Sequence, residues 1–261
     1  MSLETMTKLS VAVITLNNEK TIQDCLASVS FADEIIIIDG ESSDRTIVLC
    51  HAFTDKILVR PFTEYAAQVQ YALQNCRHEW VLLLFADERV RPELAAEITD
   101  LMSRPVNEEG FFIARRFYFM NKWIRYCGRY PDYRFRLVNR NSVQVYGSKG
   151  QGLLHCSGRT GKLRYDMDYN AYPTLFDSLA AMNRKTTQEA QTMVSAIKAH
   201  WYHFIFPPCG TFLIKYLLQQ GFRAGGRGFL LCWFFSFSQM VLYMKIWLLQ
   251  HPFLPGAGGN R

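Results

Sequence analysis

A chain of 261 residues that is 49% hydrophobic and 20% charged holds enough apolar material for one substantial folded domain plus an appendage, which excludes disordered and fibrous classes. The net charge of +6 is moderate, so where the charges fall matters more than their sum. Seven cysteines, scattered, odd in number and without a C-x-x-C pair, suit a reducing compartment and argue against a disulfide framework or a structural zinc site.

The N-terminus enters a strand by about Lys8 with no apolar signal region ahead of it, the expectation for a chain that is not secreted. Residues 8–14 (KLSVAVI) read as a buried strand ending in Thr15-Leu16-Asn17-Asn18-Glu19, and Ile22, Leu26 and Val29 follow at helical spacing. The four isoleucines at 35–38 read as a strand buried on both faces, as in the middle of a parallel sheet. That run stops at Asp39-Gly40, and Ser42-Ser43-Asp44 can cap a helix starting near Ser43 and carrying Ile47 and Leu49. Residues 56–59 are a short third strand, 65–74 a helix, and 80–84 (WVLLL) a fourth strand ending in Phe85-Ala86-Asp87-Glu88. A further helix starts at Arg91-Pro92-Glu93, with proline in its first turn. Four strand–helix alternations predict an α/β fold with a doubly wound, Rossmann-like, mostly parallel sheet. Thr15, Asp39 and Asp87 then lie on its carboxyl edge, where such sheets bind ligands.

From Phe111 the pattern changes. Residues 111–116 and 133–138 read as strands, 141–172 as loop, and 176–198 as a helix. After Pro207-Pro208 come an amphipathic helix at 211–220, a break rich in glycine, an apolar helix at 229–249, and a loose tail at 252–261. The domain expectation is 1–172 for donor and acceptor binding and 173–261 for a helical, membrane-interface region.

Residues 115–140 hold eight basic side chains (Arg115, Arg116, Lys122, Arg125, Arg129, Arg134, Arg136, Arg140) against one acid, Asp132, with aromatics interleaved. No nucleic-acid fold signature accompanies them, so the expected partner is an anionic acceptor or a leaving diphosphate, held by Arg and aromatic rings, and not nucleic acid. Residues 229–249 carry one charge, Lys245, over a length that could span a bilayer. Ser236, Ser238, Gln239 and dispersed aromatics favour a helix lying in the interface, with Lys215, Arg223, Arg227 and Lys245 available to anionic headgroups; a buried helix is the alternative.

Three edge segments in order, VITLNNE (13–19), IDGESSDRT (38–46) and WVLLLFADERV (80–90), resemble the inverting family-2 glycosyltransferases. Trp123-Ile124-Arg125, Gly128–Tyr133 (GRYPDY), Arg136-Leu137, Tyr216 and Gly221-Phe222 are similar to the branch of that family formed by bacterial lipopolysaccharide-core glucosyltransferases. The resemblance covers most of residues 8–250 and implies a GT-A-like fold. It also implies transfer of a hexose from a nucleotide-diphosphate sugar to a lipopolysaccharide-core, oligosaccharide or lipid-linked acceptor.

By this resemblance Thr15, Asn18, Glu19 and Asp39 serve the nucleobase side, with Asp87 and Glu88 on the nucleotide-sugar. Asp87, the second acid of a D-x-D motif, would ligate Mg2+ or Mn2+. Arg125, Arg129, Tyr130 and Arg136 fit acceptor or diphosphate. Asp132 is the first candidate for the general base, ahead of Asp166 and Asp168. The expected location is cytoplasmic, on the inner face of the cytoplasmic membrane. The chain also departs from the pattern. Phe85 replaces the first acid, Val69 and Gln70 replace a basic residue and asparagine, Ala224 replaces an acid, and a histidine–acid pair near 147–155 is absent or displaced. A partner subunit that keeps the fold without turnover is therefore the alternative reading.

Overall fold

In the computed structural model, described over residues 7–146, 154–170 and 174–251, the chain divides into two compact units: Met1–Phe117 with Pro131–Ala171, and Tyr118–Tyr130 with Tyr172–Arg261. Relative to the 1–172 grouping expected from sequence, residues 118–130 join the C-terminal helices.

The first unit starts with β1 (Leu9–Thr15), α1 (Ile22–Ala27), β2 (Glu34–Asp39), α2 (Thr46–Cys50), β3 (Ile57–Val59), α3 (Tyr65–Asn75) and β4 (Trp80–Phe85). It continues with β5 (Glu88–Val90), α4 (Pro92–Met102) and β6 (Gly110–Phe119), whose last residues enter the second unit. There β7 (Lys122–Trp123) pairs back on β6, and the two-residue turn between them has positive φ at both Met120 and Asn121, as a tight hairpin requires. The first unit resumes with β8 (Asp132–Asn139), β9 (Val143–Val145), β10 (Leu154–Cys156), β11 (Thr160–Lys162) and β12 (Met167–Tyr169).

The main sheet runs β3-β2-β1-β4-β8-β6-β12-β5. Its first four strands are parallel, while β8 is antiparallel to both β4 and β6. Alternation along the parallel strands separates two cores. Val11, Val13, Ile37, Leu82 and Leu84 face α1 and α4 through Ile22, Leu26, Leu94 and Ile98. Ala12, Ile14, Ile36, Ile38, Val81 and Leu83 face α3 through Val69, Ala72 and Leu73. Helices therefore cover both faces, which is why the isoleucine run shows no polar alternation. Ile36, Ile37 and Ile38 are fully buried, each worth about 1.5–3 kcal/mol of transfer free energy.

The 141–172 stretch is not a loop. It contains four three-residue strands, and β12 enters the main sheet between β6 and β5. Such short strands carry no readable periodicity, and their position comes from pairing with β6. The histidine–acid expectation falls partly on residues 147–153, outside those described.

In the second unit α5 (Leu175–Met193) starts with a capping box, in which Thr174 and Asp177 each accept the other's backbone N–H. It ends five residues before the expected 198. A 3-10 turn (Trp201–Phe204) leads to α6 (Phe206–Leu213), which starts before the expected 211 because Pro207 and Pro208 occupy its first turn, where no N–H is needed. A π-turn (Ile214–Leu218) and a 3-10 turn (Gly221–Ala224) precede α7 (Gly225–Gln250). Residues 221–250 are long and apolar enough to cross a membrane by length and composition, and 22% of their most apolar window is buried. Lys245 is not available to headgroups: its ammonium donates to Asn183 O and Oδ1, Thr186 Oγ1 and Thr187 Oγ1 at 2.7–2.9 Å, tying α7 to α5. The tail expected at 252–261 lies outside the described residues.

The glycine break is a packing contact. A Cβ on Gly228 would lie 2.1 Å from the Gly221 carbonyl oxygen, whereas one on Gly226 would meet nothing within 4 Å. Gly228→Ala should therefore cost about 1–3 kcal/mol, and Gly226→Ala should be neutral or stabilise by up to about 1 kcal/mol. Thermal unfolding of the two variants checks the contrast.

Candidate active site

The carboxyl ends of β1, β2 and β4 are brought level by their pairing: Thr15 lies opposite Asp39, and Ile14 opposite Phe85. The loops leaving β1 and β2 are stapled to each other. Asn17, at φ 54°, donates its N–H to Ser42 Oγ and accepts from Ser43 N through Oδ1, both at 2.8 Å. Asn18 N–H donates to Thr46 Oγ1 at 2.8 Å, Glu19 N–H to Asp44 at 3.1 Å, and Arg45 N–H to Glu19 at 3.2 Å. Thr15 Oγ1 donates to Asn18 Oδ1 at 3.2 Å. Asp39 is fully buried, and both its oxygens accept from Ser42, one from the N–H at 2.7 Å and one from the hydroxyl at 2.6 Å. Of the residues assigned to the nucleobase side, Asp39 thus holds the loop, while Thr15, Asn18 and Glu19 tie the two loops together. Burial opposes ionisation of Asp44, but the Thr46 hydroxyl and N–H still hold its carboxyl below the ordinary value.

At the end of β4 the centre is Glu88, whose side chain is fully buried. Its carboxylate accepts from Arg115 Nη1 at 2.9 Å, from Arg136 Nη2 at 2.8 Å and Nε at 3.1 Å, and from the Phe85 N–H at 3.1 Å. Burial works against this charge, but Arg136 and then Arg115 keep Glu88 below the ordinary carboxylate range. Arg115 also lies 4.1 Å over the Tyr169 ring and grips Asp132 Oδ2 through Nε at 3.0 Å and Nη2 at 2.5 Å. Arg134 holds the other oxygen of Asp132 at 3.0 Å. Glu88 and Arg136, expected on donor and on acceptor or diphosphate, are turned inward and committed to each other. Of the two weaker base candidates, Asp166 pairs with Arg116 at 2.7 Å and Asp168 with Arg91 at 3.7 Å.

Phe85, in place of the first D-x-D acid, sits edge-on to Tyr65 at 5.6 Å, with the Arg136 guanidinium 4.7 Å from its ring centroid. Asp87 is half-buried and forms no ion pair among the described residues. Burial and then the Glu88 charge push it from the ordinary 3.8 up to about 7. No three His, Cys, Asp or Glu side chains among the described residues converge to hold a metal. The donor set is therefore one carboxylate, which fits a hard cation only when phosphate oxygens complete the shell.

In the sequence Arg115 stands only as one of a basic group, whereas in the structure it is the junction between Glu88 and Asp132. The available signal was spacing: Asp132, Arg134 and Arg136 share one face of β8, and Arg115 is the cross-strand neighbour of Asp132. Arg125, Arg129 and Tyr130 belong to the second unit, where Arg125 lies 5.9 Å over Tyr130, itself edge-on to Trp123 at 5.4 Å. Val69, where a basic residue was expected, is a fully buried core residue of α3.

A mostly parallel sheet covered by helices on both faces, with an acid at the carboxyl end of its fourth strand, defines the class of open α/β proteins whose ligands bind at that edge. The model of glycosyl transferase family 2 matches residues 10–187, and the chain belongs to that family. It is a glycosyltransferase of GT-A-like fold. The "Lipopolysaccharide core biosynthesis glycosyltransferase LpsC" of Rhizobium meliloti (strain 1021) is 27% identical over 231 residues, 85% of each chain. An uncharacterized glycosyltransferase of Rickettsia bellii (strain RML369-C) is 36% identical over 92 residues, 35% of this chain and 31% of that one. Among solved structures, glucosyl-3-phosphoglycerate synthase from Mycobacterium tuberculosis, in complex with Mn2+, uridine diphosphate and glucosyl-3-phosphoglycerate, aligns with a TM-score of 0.48 and 16% identity over 72% of this chain and 79% of that one.

The raised Asp87 makes a pH prediction. Its folded form holds a proton that the unfolded chain releases near 3.8, so its contribution to stability falls as pH rises from about 4 through about 7. Asp87→Asn removes that penalty. Its gain in melting temperature over wild type, without metal or nucleotide, should be larger at about pH 8 than at about pH 4.5, as calorimetric scans would show.

Proposed function

We propose that the protein moves a hexose from a nucleotide-diphosphate sugar to a lipopolysaccharide-core or other lipid-linked envelope glycan, with inversion, at the inner face of the cytoplasmic membrane. The observation that carries this reading is the carboxyl edge itself. Asp87 stands there in no ion pair with a described residue, beside a buried Glu88 that fixes Arg115 and, through it, Asp132. The likeness to LpsC over 85% of both chains supports the acceptor class.

In the reaction, the acceptor oxygen forms a bond to the anomeric carbon while the bond from that carbon to the diphosphate oxygen breaks. The nucleoside diphosphate departs with the electron pair, and the acceptor's proton passes to the base. Asp132 is that base in this proposal. Its side chain is 32% exposed and held by Arg115 and Arg134, so its oxygens are fixed before the acceptor arrives. The stapled loops after β1 and β2 form the nucleobase side, with Asp39 acting through Ser42 and with Thr15, Asn18 and Glu19 shaping the wall. Arg125, Arg129 and Tyr130 serve the acceptor, and Glu88 and Arg136 support Phe85 and Asp87 from behind. Asp87 would hold Mg2+ or Mn2+ together with the donor's phosphates. When bound, the ion neutralises charge on the leaving diphosphate.

Two outcomes follow for binding and turnover. Calorimetry should show little affinity for Mn2+ alone and appreciable binding only with a nucleoside diphosphate present. Asp87→Ala should lower transfer at least roughly a hundredfold, the scale of losing one preorganised electrostatic contact. Phe85→Asp puts a carboxylate beside Arg136 and should leave turnover within about tenfold of wild type, because a carboxylate–guanidinium pair replaces a cation–π contact of comparable size. An active enzyme indifferent to both Asp87→Ala and chelator would overturn this placement of the diphosphate.

A further inference from the structure

Within the helical unit, α6 and α7 form an antiparallel hairpin. Pro208, near the start of α6, accepts from Ser236 Oγ at 2.8 Å, and Phe212, near its end, lies edge-on to Phe229 at 5.6 Å. The two helices therefore run in opposite directions from a closed end at residues 213–228. Before the turn, Leu213, Ile214, Leu217, Leu218 and Phe222 are 48–78% exposed, and after it Phe229, Leu230 and Trp233 are 47–52% exposed. Single exposed apolar residues are ordinary, but this many at one end of one hairpin mark a surface that something covers.

Charge says what covers it. No Asp or Glu follows Glu189, whereas six Lys and Arg do, and three of these, Lys215, Arg223 and Arg227, fall at the closed end between the apolar residues. Arg223 and Arg227 are exposed. A second copy of the chain seated here would set the same three cations against themselves. A leaflet that contains anionic lipid matches both parts of the surface, since its acyl region takes the apolar side chains and its headgroups take the cations.

The depth of entry follows from what holds the other end of α7. Lys245 donates to Asn183, Thr186 and Thr187 of α5 at 2.7–2.9 Å, and Gln250 Nε2 donates to the Val194 carbonyl at 3.0 Å. Leu242 and Ile246 share an apolar cluster with Ala190 of α5. On its outer side α5 presents exposed Arg184, Lys185 and Gln188, so drawing this half of α7 into hydrocarbon would draw those groups in with it, at high cost. That leaves at most residues 225–241, about 25 Å of helix, against a hydrocarbon core about 30 Å thick. Residues 221–250 as a whole are long enough to span, but the part not tied to α5 is not. We propose that the closed end of the α6–α7 hairpin enters one leaflet of an anionic membrane and anchors the protein from one side, without α7 crossing. The proposal rests on the membrane location given above and not on turnover.

The test uses the full chain and vesicles of phosphatidylcholine with or without phosphatidylglycerol, read by sedimentation. Wild type should prefer the mixed vesicles. Leu218→Asp, at the most exposed of these positions, should weaken binding to them more than about thirtyfold, through lost apolar burial and a charge placed in the leaflet. Leu248→Asp makes the same change of charge at an exposed position on the α5 end of α7 and should weaken it less than about fivefold, as one diffuse surface charge would. Equal losses in the two variants would overturn the one-sided hairpin in favour of contact along the whole helix. Unchanged binding in both would overturn the assignment of this surface to a bilayer, and equal binding of wild type to the two kinds of vesicle would overturn its anionic part. If Leu218→Asp fails to fold, Leu217→Asp decides by the same criteria. Donor turnover measured without vesicles on the same samples separates failure of the anchor from failure of the glycosyltransferase reading.

Discussion

One buried carboxylate ties together half of the sheet. Glu88, on β5, accepts from Arg115 on β6 and Arg136 on β8, and from the backbone where β4 ends, while Arg115 stacks on Tyr169 of β12. Five strands meet at this point. Removing one partner of such a pair costs about 3–5 kcal/mol, because the survivors stay charged and buried. The same carboxylate sets the chemistry on both sides: its charge helps keep Asp87 protonated up to about pH 7, and its grip on Arg115 fixes the guanidinium that holds Asp132.

The arrangement explains how the site accommodates Phe85. A carboxylate at that position would compete with Glu88 for Arg136. With phenylalanine there, Arg136 keeps Glu88 and lies over the ring instead, at 4.7 Å. In the proposed reading, Asp87 is the one carboxylate left to offer a divalent ion, which a donor bringing its own phosphates would have to complete. The charge of the chain is distributed in keeping with this. The unit holding Asp87 has eighteen Lys and Arg against twenty-one acids, and the helical unit eleven against two.

Much of the parallel half was legible in the sequence. The isoleucine run 35–38, the WVLLL strand and the Pro92 helix start announce themselves through local composition, and the carboxyl-edge position of Thr15, Asp39 and Asp87 follows from them. What was not legible is long-range or short in length. Glu88 and Arg136 are 48 residues apart, so neither reveals that the other consumes it, and both read as ligand contacts. Asp39 reads as an acid facing the ligand crevice, and nothing local says that Ser42 donates to both its oxygens. The strands β9 to β12 have three residues each, too few for a period. Lys245 reads as a headgroup cation until the acceptors of α5 appear beside it.

The most direct test of this account is turnover and nucleotide binding in Glu88→Gln, compared with wild type at matched folded fraction. Glutamine keeps the shape and one acceptor but removes the charge that holds Arg115 and Arg136. The account expects a lowered melting temperature, nucleotide affinity within about threefold of wild type, and transfer reduced roughly a hundredfold or more, since displacing a fixed group by about an ångström costs that much. A folded Glu88→Gln protein that transfers hexose at the wild-type rate would contradict it.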